Sequence, residues 1–241
     1  MKKFIALALV FVFLTLSLAS CGPKDAIKID PQHFNMPDSY QITYTFIEDF
    51  PEGNEYYEDV VATVISGCDT SGNFYYSYEG SNRTLKRVCI GSDDSYKLYE
   101  LSEETDGKFE LIEEDMRWVE AFNTCNDYVG YANTMLNSDK ENTYAKIDSL
   151  TNMPEGISGK TIDFSDPERF EYFSVKGLFY PDGREYGGFE AVVEKETGAC
   201  VYVNYFAPEI YTAIGGEVKY YFYATEYAIP YSGNYASIIT E

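Results

Sequence analysis

His33 is the single histidine of this 241-residue chain, and it stands in a polar stretch, Gly22 to Asp38, that carries Pro23, Pro31 and Pro37. A stretch of that composition with no apolar period reads as a linker. A Ser-His-Asp or Cys-His nucleophile system therefore lacks its base in the part of the chain that folds. Histidine-built metal sites are missing for the same reason. Cys68, Cys89, Cys125 and Cys200 form no Cys-x-x-Cys pair for zinc binding or thiol redox work. Asp69 to Asn73 offers Asp, Ser and Asn oxygens but lacks the longer spacing and distal glutamate of a calcium loop, so it reads as a turn. Gly187-Gly188 and Gly215-Gly216 are isolated pairs before strands rather than a phosphate-binding loop. No cofactor is implied. Forty acidic residues guarantee some close carboxylate pairs by chance, so spacing alone neither supports nor excludes a two-carboxylate hydrolase.

The chain opens with a different kind of chemistry. Lys2 and Lys3 precede an apolar run, Phe4 to Leu16, and small residues (Ser17, Ala19, Ser20) follow it. This is the layout of a secretory signal peptide over residues 1–20. The run is shorter than the roughly 20 residues a bilayer-spanning helix needs. Its end, Leu18-Ala19-Ser20-Cys21, resembles the lipobox of bacterial lipoprotein precursors. The resemblance implies cleavage before Cys21, diacylation of its sulfur and a lipidated tether over residues 21–39. It also implies an extracytoplasmic position, on the outer leaflet of the cell membrane or on an outer membrane. The membrane then becomes a partner through the acyl chains on Cys21, since two chains anchor stably where one binds marginally.

Of 18 basic residues, Lys2 and Lys3 leave with the signal peptide, so 16 stand against 40 acidic ones, a formal charge of −24. Such a surface repels nucleic acid and anionic headgroups, which excludes nucleic acid as a partner and holds the domain off the membrane. Acidity can signal disorder, but 17% aromatic and 45% hydrophobic residues argue for a packed core. Residues 40–241 are expected to form a single β-rich domain. Four cysteines beyond Cys21 allow three pairings in an exported chain, or they are buried free thiols. Cys68 with Cys89 is the favoured disulfide pair, because the two fall near the ends of neighbouring strands.

From Tyr40 the sequence becomes a series of short alternating segments. Expected strands are Tyr40 to Ile47, Tyr57 to Ser66, Phe74 to Tyr78, Thr84 to Ile90, Tyr96 to Leu101 and Phe109 to Ile112. Turn clusters separate them every 10 to 13 residues, the mark of an antiparallel meander. Glu113, Glu114 and Asp115 suit a helix N-terminus. Trp118, Phe122, Cys125, Val129, Ala132 and Leu136 then recur at alternating spacings of four and three, so one main amphipathic helix is expected over about 114–137. After a polar connection, a second run of strands is expected at Lys160 to Phe164, Tyr172 to Tyr180, Phe189 to Glu196, Cys200 to Phe206 and Val218 to Ile229. Tyr231 to Glu241 reads as a short strand or a packed tail.

The predicted class is mainly β (α+β): an antiparallel meander sheet, curved or half-barrel, covered by that helix. An exported lipoprotein with this element order and a late Lys195-Glu196-Thr197-Gly198 hairpin resembles the LolA/LppX-type half-barrels over about residues 40–229. The resemblance implies a curved sheet that holds acyl chains against helices. Trp118, Phe122, Val129, Tyr220 and Phe222 are candidates to line such a ligand site or the core. Three functions are in play: a non-enzymatic binder of an apolar ligand or lipid, an envelope module binding glycan or protein through exposed tyrosines, and a carboxylate hydrolase. The first is favoured, because the folded region offers no histidine-based or metal-based catalytic set. Twenty-four tyrosines, many in strands, supply the second reading with rigid contact area and hydroxyls.

Overall fold

The structure is a computed structural model that describes residues 36–50, 60–81, 83–92, 94–102, 107–126, 129, 144–150, 162, 164–179, 185–207 and 218–240. Cys21 and the whole of 1–20 lie outside the described residues. The strands are β1 (Tyr40–Asp49), β2 (Val60–Cys68), β3 (Phe74–Gly80), β4 (Thr84–Ser92), β5 (Ser95–Ser102), β6 (Glu110–Met116), β7 (Tyr144–Ile147), β8 (Phe170–Phe179), β9 (Glu185–Glu194), β10 (Cys200–Ala207) and β11 (Val218–Ala228). They form one large open antiparallel sheet in the order β6-β5-β4-β3-β2-β1-β11-β10-β9-β8-β7. Two meanders, β1–β6 and β7–β11, run outward from the centre and are joined by the pairing of β1 with β11. Among the described residues no helix is long and apolar enough to cross a membrane.

Alternation along β1 sets the first face. Tyr40, Ile42, Tyr44 and Phe46 are buried, while Gln41, Thr43 and Thr45 on the other parity are only half-buried or pack elsewhere. Register carries that face across the sheet: Phe46 pairs with Phe222, Phe222 with Val203, Val203 with Ala191 and Ala191 with Phe173, all of them buried. Because a one-residue slip would move this whole set to the other side, the pattern fixes the register.

Helix α1 (Trp118–Thr124) lies on this face. It is shorter than the expected 114–137 and begins later, which corrects that expectation at its start. Glu110 to Asp115 are strand residues at the edge of the sheet, and all of them are exposed. Acidic side chains on both faces of an edge strand discourage pairing with another chain, and they remove the alternation that would reveal a strand. The helix start is set instead by Arg117 as N-cap, by Glu120, whose carboxylate accepts the Arg117 N–H at 2.8 Å, and by Asp94, whose Oδ1 accepts the Trp118 N–H at 2.9 Å. Of the expected stripe, Phe122, Cys125 and Val129 are buried and Trp118 is 48% exposed. Ala132 and Leu136 lie outside the described residues.

The opposite face is covered at β2–β4 by the chain's end, so the tail packs rather than forming a strand. Tyr235, the first residue of a 3-10 helix (Tyr235–Thr240), stacks between Tyr75 and Tyr231 at centroid distances of 5.0 and 4.9 Å. Its N–H donates to Asp69 Oδ2, while Asp69 Oδ1 accepts the N–H groups of Ser71 and Asn73. Asp69 to Asn73 is thus a turn, with Gly72 at φ 81°. The β9–β10 hairpin likewise has Gly198 at φ 71°, the left-handed residue expected there. Phe164, expected in a strand, lies in a turn, and β7 arises in what reads as a polar connection.

Candidate functional site

Antiparallel pairing sorts the strand connections to two ends. One end carries the start of β1, together with α1, the Asp69 turn, the β9–β10 hairpin and the tail. At the other end β1 stops at Asp49, β3 at Gly80, β5 at Ser102, β8 at Phe179 and β10 at Ala207.

Towards that far end the first face carries an aromatic shelf. Phe46 is its centre, with Phe222 at 4.7 Å, Tyr78 at 5.9 Å and Tyr220 at 6.3 Å between ring centroids, and Tyr44 meets Phe222 edge-on at 6.5 Å. The rings can gather because β2 places only Ala62 and Val64 between β1 and β3: Phe46 pairs with Ala62, and Tyr44 with Val64, which pairs with Tyr78. Gly80 belongs to the same arrangement, since a Cβ there would lie 2.9 Å from the Tyr78 ring and 3.0 Å from Ala62 Cβ.

A charged rim closes the shelf on the far side. Glu48 is the next residue of this face along β1 and pairs with Tyr220. Burial raises its carboxyl above the usual range, and this outweighs the Tyr220 hydrogen bond and the nearby Arg83 charge, which both act to lower it. The Arg83 guanidinium sits 4.6 Å above the Tyr78 ring, a cation–π contact at an exposed site. Rings as floor with one acid and one base at the rim suit a ligand that is apolar along its length and polar at one end.

At the end where β1 starts, a second ring group forms around Phe74, with Tyr96 at 5.6 Å, Phe122 at 5.9 Å and Trp118 at 6.1 Å. The structure thus places Tyr220 and Phe222 on the shelf, and Trp118 and Phe122 on α1 against Phe74, so the ring residues singled out from sequence fall into two groups. Val129 is buried in the core. Around α1 the polar groups are internally satisfied: Tyr40 Oη donates to Asn126 Oδ1 at 2.7 Å, and Ser66 Oγ donates to the Cys125 carbonyl at 2.8 Å.

The favoured disulfide pair is corrected. Cys68 pairs with Phe74 and Phe74 with Cys89, so two strand spacings, about 9.5 Å, separate the two cysteines, beyond the roughly 7 Å that a disulfide bridges. All four thiols are free and buried. Burial pushes the Cys200 thiol up to about 12, and burial with the Asp69 and Asp38 charges does the same to Cys68. Neither is a nucleophile at neutral pH.

An ion cluster built on the buried Glu194 lies at the end where β1 starts. Glu194 accepts hydrogen bonds from Arg169 Nε at 2.9 Å, Tyr227 Oη at 2.6 Å and Thr197 Oγ1 at 2.7 Å, and Arg169 also donates to the Tyr227 hydroxyl. Burial opposes its charge, but the three donors outweigh it and hold the carboxyl below the usual range. With every group spoken for, this cluster fastens the β9–β10 hairpin to the turn before β8. Among the described residues no group of three or more His, Cys, Asp or Glu side chains is placed to hold a metal. Comparison with protein-family models and with curated proteins finds no match.

Proposed function

We propose that this chain is a non-enzymatic, lipid-anchored extracytoplasmic binding protein that holds an apolar ligand with a polar end, an acyl lipid in chemical class. The observation that supports it is the aromatic shelf with a charged rim at the end of the sheet opposite the tether. In this reading the sheet curves into a half-barrel, and α1 covers part of the first face. Residues 1–20 are the signal peptide, Cys21 carries the acyl anchor, and residues 21–39 hold the acidic domain clear of the headgroups. The shelf rings are buried, with Phe46 6% and Tyr220 7% exposed, so a ligand reaches them by local opening at the far end of the sheet. The rim then meets the polar end of the ligand, and the rings meet its chain.

The glycan-or-protein reading receives less support. No tyrosine whose side chain is described is exposed, so the flat tyrosine face it requires is not formed by those residues. Among the described residues Trp118 is the one aromatic ring left half in solvent, and Phe122 stacks against it at 5.0 Å.

Two measurements test the proposal. A fluorescent long-chain fatty acid titrated into the purified chain is expected to bind saturably, with affinity reduced several-fold by Arg83→Glu, a surface change that leaves the core intact. Non-saturable binding, identical in the variant, would overturn the ligand reading. Fatty-acid labelling of the exported protein is expected to vanish in Cys21→Ser, and label retained by that variant would overturn the anchor.

A further inference from the structure

Cys125, the C-cap of α1, places its Sγ 3.4 Å from the Sγ of Cys89 on β4, and both residues are wholly buried. The other two cysteines are occupied apart from this pair and from each other: Cys68 Sγ faces the Asp69 carbonyl and Cys200 Sγ the Tyr202 carbonyl, each at 3.6 Å. Of the three pairings four cysteines allow, geometry therefore selects one bond and leaves two thiols over. A disulfide has a sulfur separation of about 2.05 Å, so closure needs a shift of about 1.4 Å. Side-chain rotation at the end of a seven-residue helix can supply it.

We infer that Cys89 and Cys125 are a disulfide site, which pins α1 to the sheet beneath it. The oxidant is a disulfide, either a small one or that of a thiol–disulfide oxidoreductase. One cysteine thiolate attacks a sulfur of the oxidant and expels its first thiolate; the second cysteine thiolate then attacks the mixed disulfide and expels the other. Two electrons pass to the oxidant, which leaves as two thiols carrying the two protons. Burial raises the Cys125 thiol, and the hydrogen bond to Cys89 adds to this, so exchange proceeds while α1 is undocked, during folding or local opening. Closure of the bond inside a cell rests on the extracytoplasmic address proposed above; the pairing itself does not.

Cys68, Cys89, Cys125 and Cys200 fall in separate tryptic peptides, 29–83, 88–97, 118–140 and 196–219, apart from that of Cys21. The full chain incubated with glutathione disulfide, alkylated and digested is expected to yield 88–97 linked to 118–140, with Cys68 and Cys200 alkylated. Four alkylated thiols, or any link through Cys68 or Cys200, would overturn the site. The bond spans 36 positions of sequence, so the oxidised chain is expected to melt roughly 5–10 °C above the reduced one. Cys89→Ser and Cys125→Ser should each abolish the shift, and a variant that fails to fold leaves the wild-type peptide map to decide. Alkylation of living cells separates the two claims. The linked peptides are expected there too, whereas four thiols in cells from a chain that closes in vitro would overturn the extracytoplasmic address and not the pair.

Discussion

Phe46 and Phe222 face each other across the β1–β11 pairing with ring centroids 4.7 Å apart and planes tilted by 37°. They come from opposite ends of the folded chain, and their contact lies where the two meanders meet. The same pair forms the middle of the aromatic shelf, so the seam that holds the halves together is also the floor of the candidate site. Stability and binding are therefore coupled at these two residues.

Truncating Phe222 to alanine should cost about 3–5 kcal/mol, the usual loss for a buried aromatic ring, because it removes contacts to both Tyr44 and Phe46. Urea unfolding followed by circular dichroism measures this. Both meanders are expected to lose structure in one transition, since β1 and β11 share the seam. A change below about 1 kcal/mol would mean the rings are not packed as described.

Gly67 faces the tail. A Cβ at this position would lie 2.1 Å from Tyr235 Oη and 2.8 Å from the backbone carbonyl of Tyr40, and backbone cannot give way cheaply. Gly67→Ala is expected to undock Tyr235–Thr240 and to cost about 1–3 kcal/mol, the range for overpacking. Amide exchange at Tyr235, whose N–H donates to Asp69, should accelerate in this variant while exchange in β1 and β11 changes less.

Glu194 gives a pH dependence with a defined sign. Its carboxyl is held below its ordinary value, about 4.3, so the stability it adds is present above that value and is lost as pH falls through the lower folded one. Glu194→Gln should therefore be less stable at pH 7, by about 1–3 kcal/mol for the hydrogen bonds lost. The gap to the parent should narrow below pH about 4. Urea midpoints at pH 7 and pH 3 for both proteins check the sign, and a gap that widens in acid contradicts it.

The strands with one wet and one dry face were legible residue by residue. Tyr40 to Phe46 alternates because one parity packs and the other does not, and turn residues such as Asp69, Gly72 and Gly198 mark the ends. β6 was legible only at its start, Phe109 to Ile112; its continuation through Glu113 to Met116 was not, because Glu110 to Asp115 are all exposed on an edge strand and no parity distinguishes them. Its acids resemble a helix start in the absence of knowledge of the edge. The central place of β1 and β11 was equally hidden, since it is defined by pairing between distant segments, with Phe46 opposite Phe222, 176 positions away. The pairing of Cys125 with Cys89 depends on where α1 docks, which no local pattern encodes. Glu48 and Arg83 had no signal of their own, and their role follows from register with Tyr220 and Tyr78.

Helix α1 offers an internal contrast. Phe122 is buried against Phe74, whereas Trp118, stacked on Phe122, leaves about half its surface in solvent. Phe122→Ala should cost about 3–5 kcal/mol and Trp118→Ala less than about 2 kcal/mol, despite the larger ring. Trp118 is the only tryptophan, so fluorescence of the parent reports on this helix directly. A Trp118→Ala loss equal to that of Phe122→Ala would show the indole to be covered.

Glu48 reverses the sign found for Glu194. Burial raises its carboxyl, so the folded state binds a proton more readily than the unfolded one, and the associated stability is present in acid and lost as pH rises through the raised value. At pH 7 the charged form is the cost, and Glu48→Gln removes it while keeping a group that can still bond Tyr220. The variant is expected to equal or exceed the parent in urea midpoint at pH 7 and to lose that advantage near pH 4. The same variant probes the rim, because a ligand whose polar end is cationic would need this carboxylate, whereas an anionic fatty acid would be held by Arg83 and repelled by Glu48. Fatty-acid affinity should therefore rise in Glu48→Gln and fall in Arg83→Glu. Opposite changes from two rim residues, with the core unaltered, are a pattern that general loosening of the fold cannot produce.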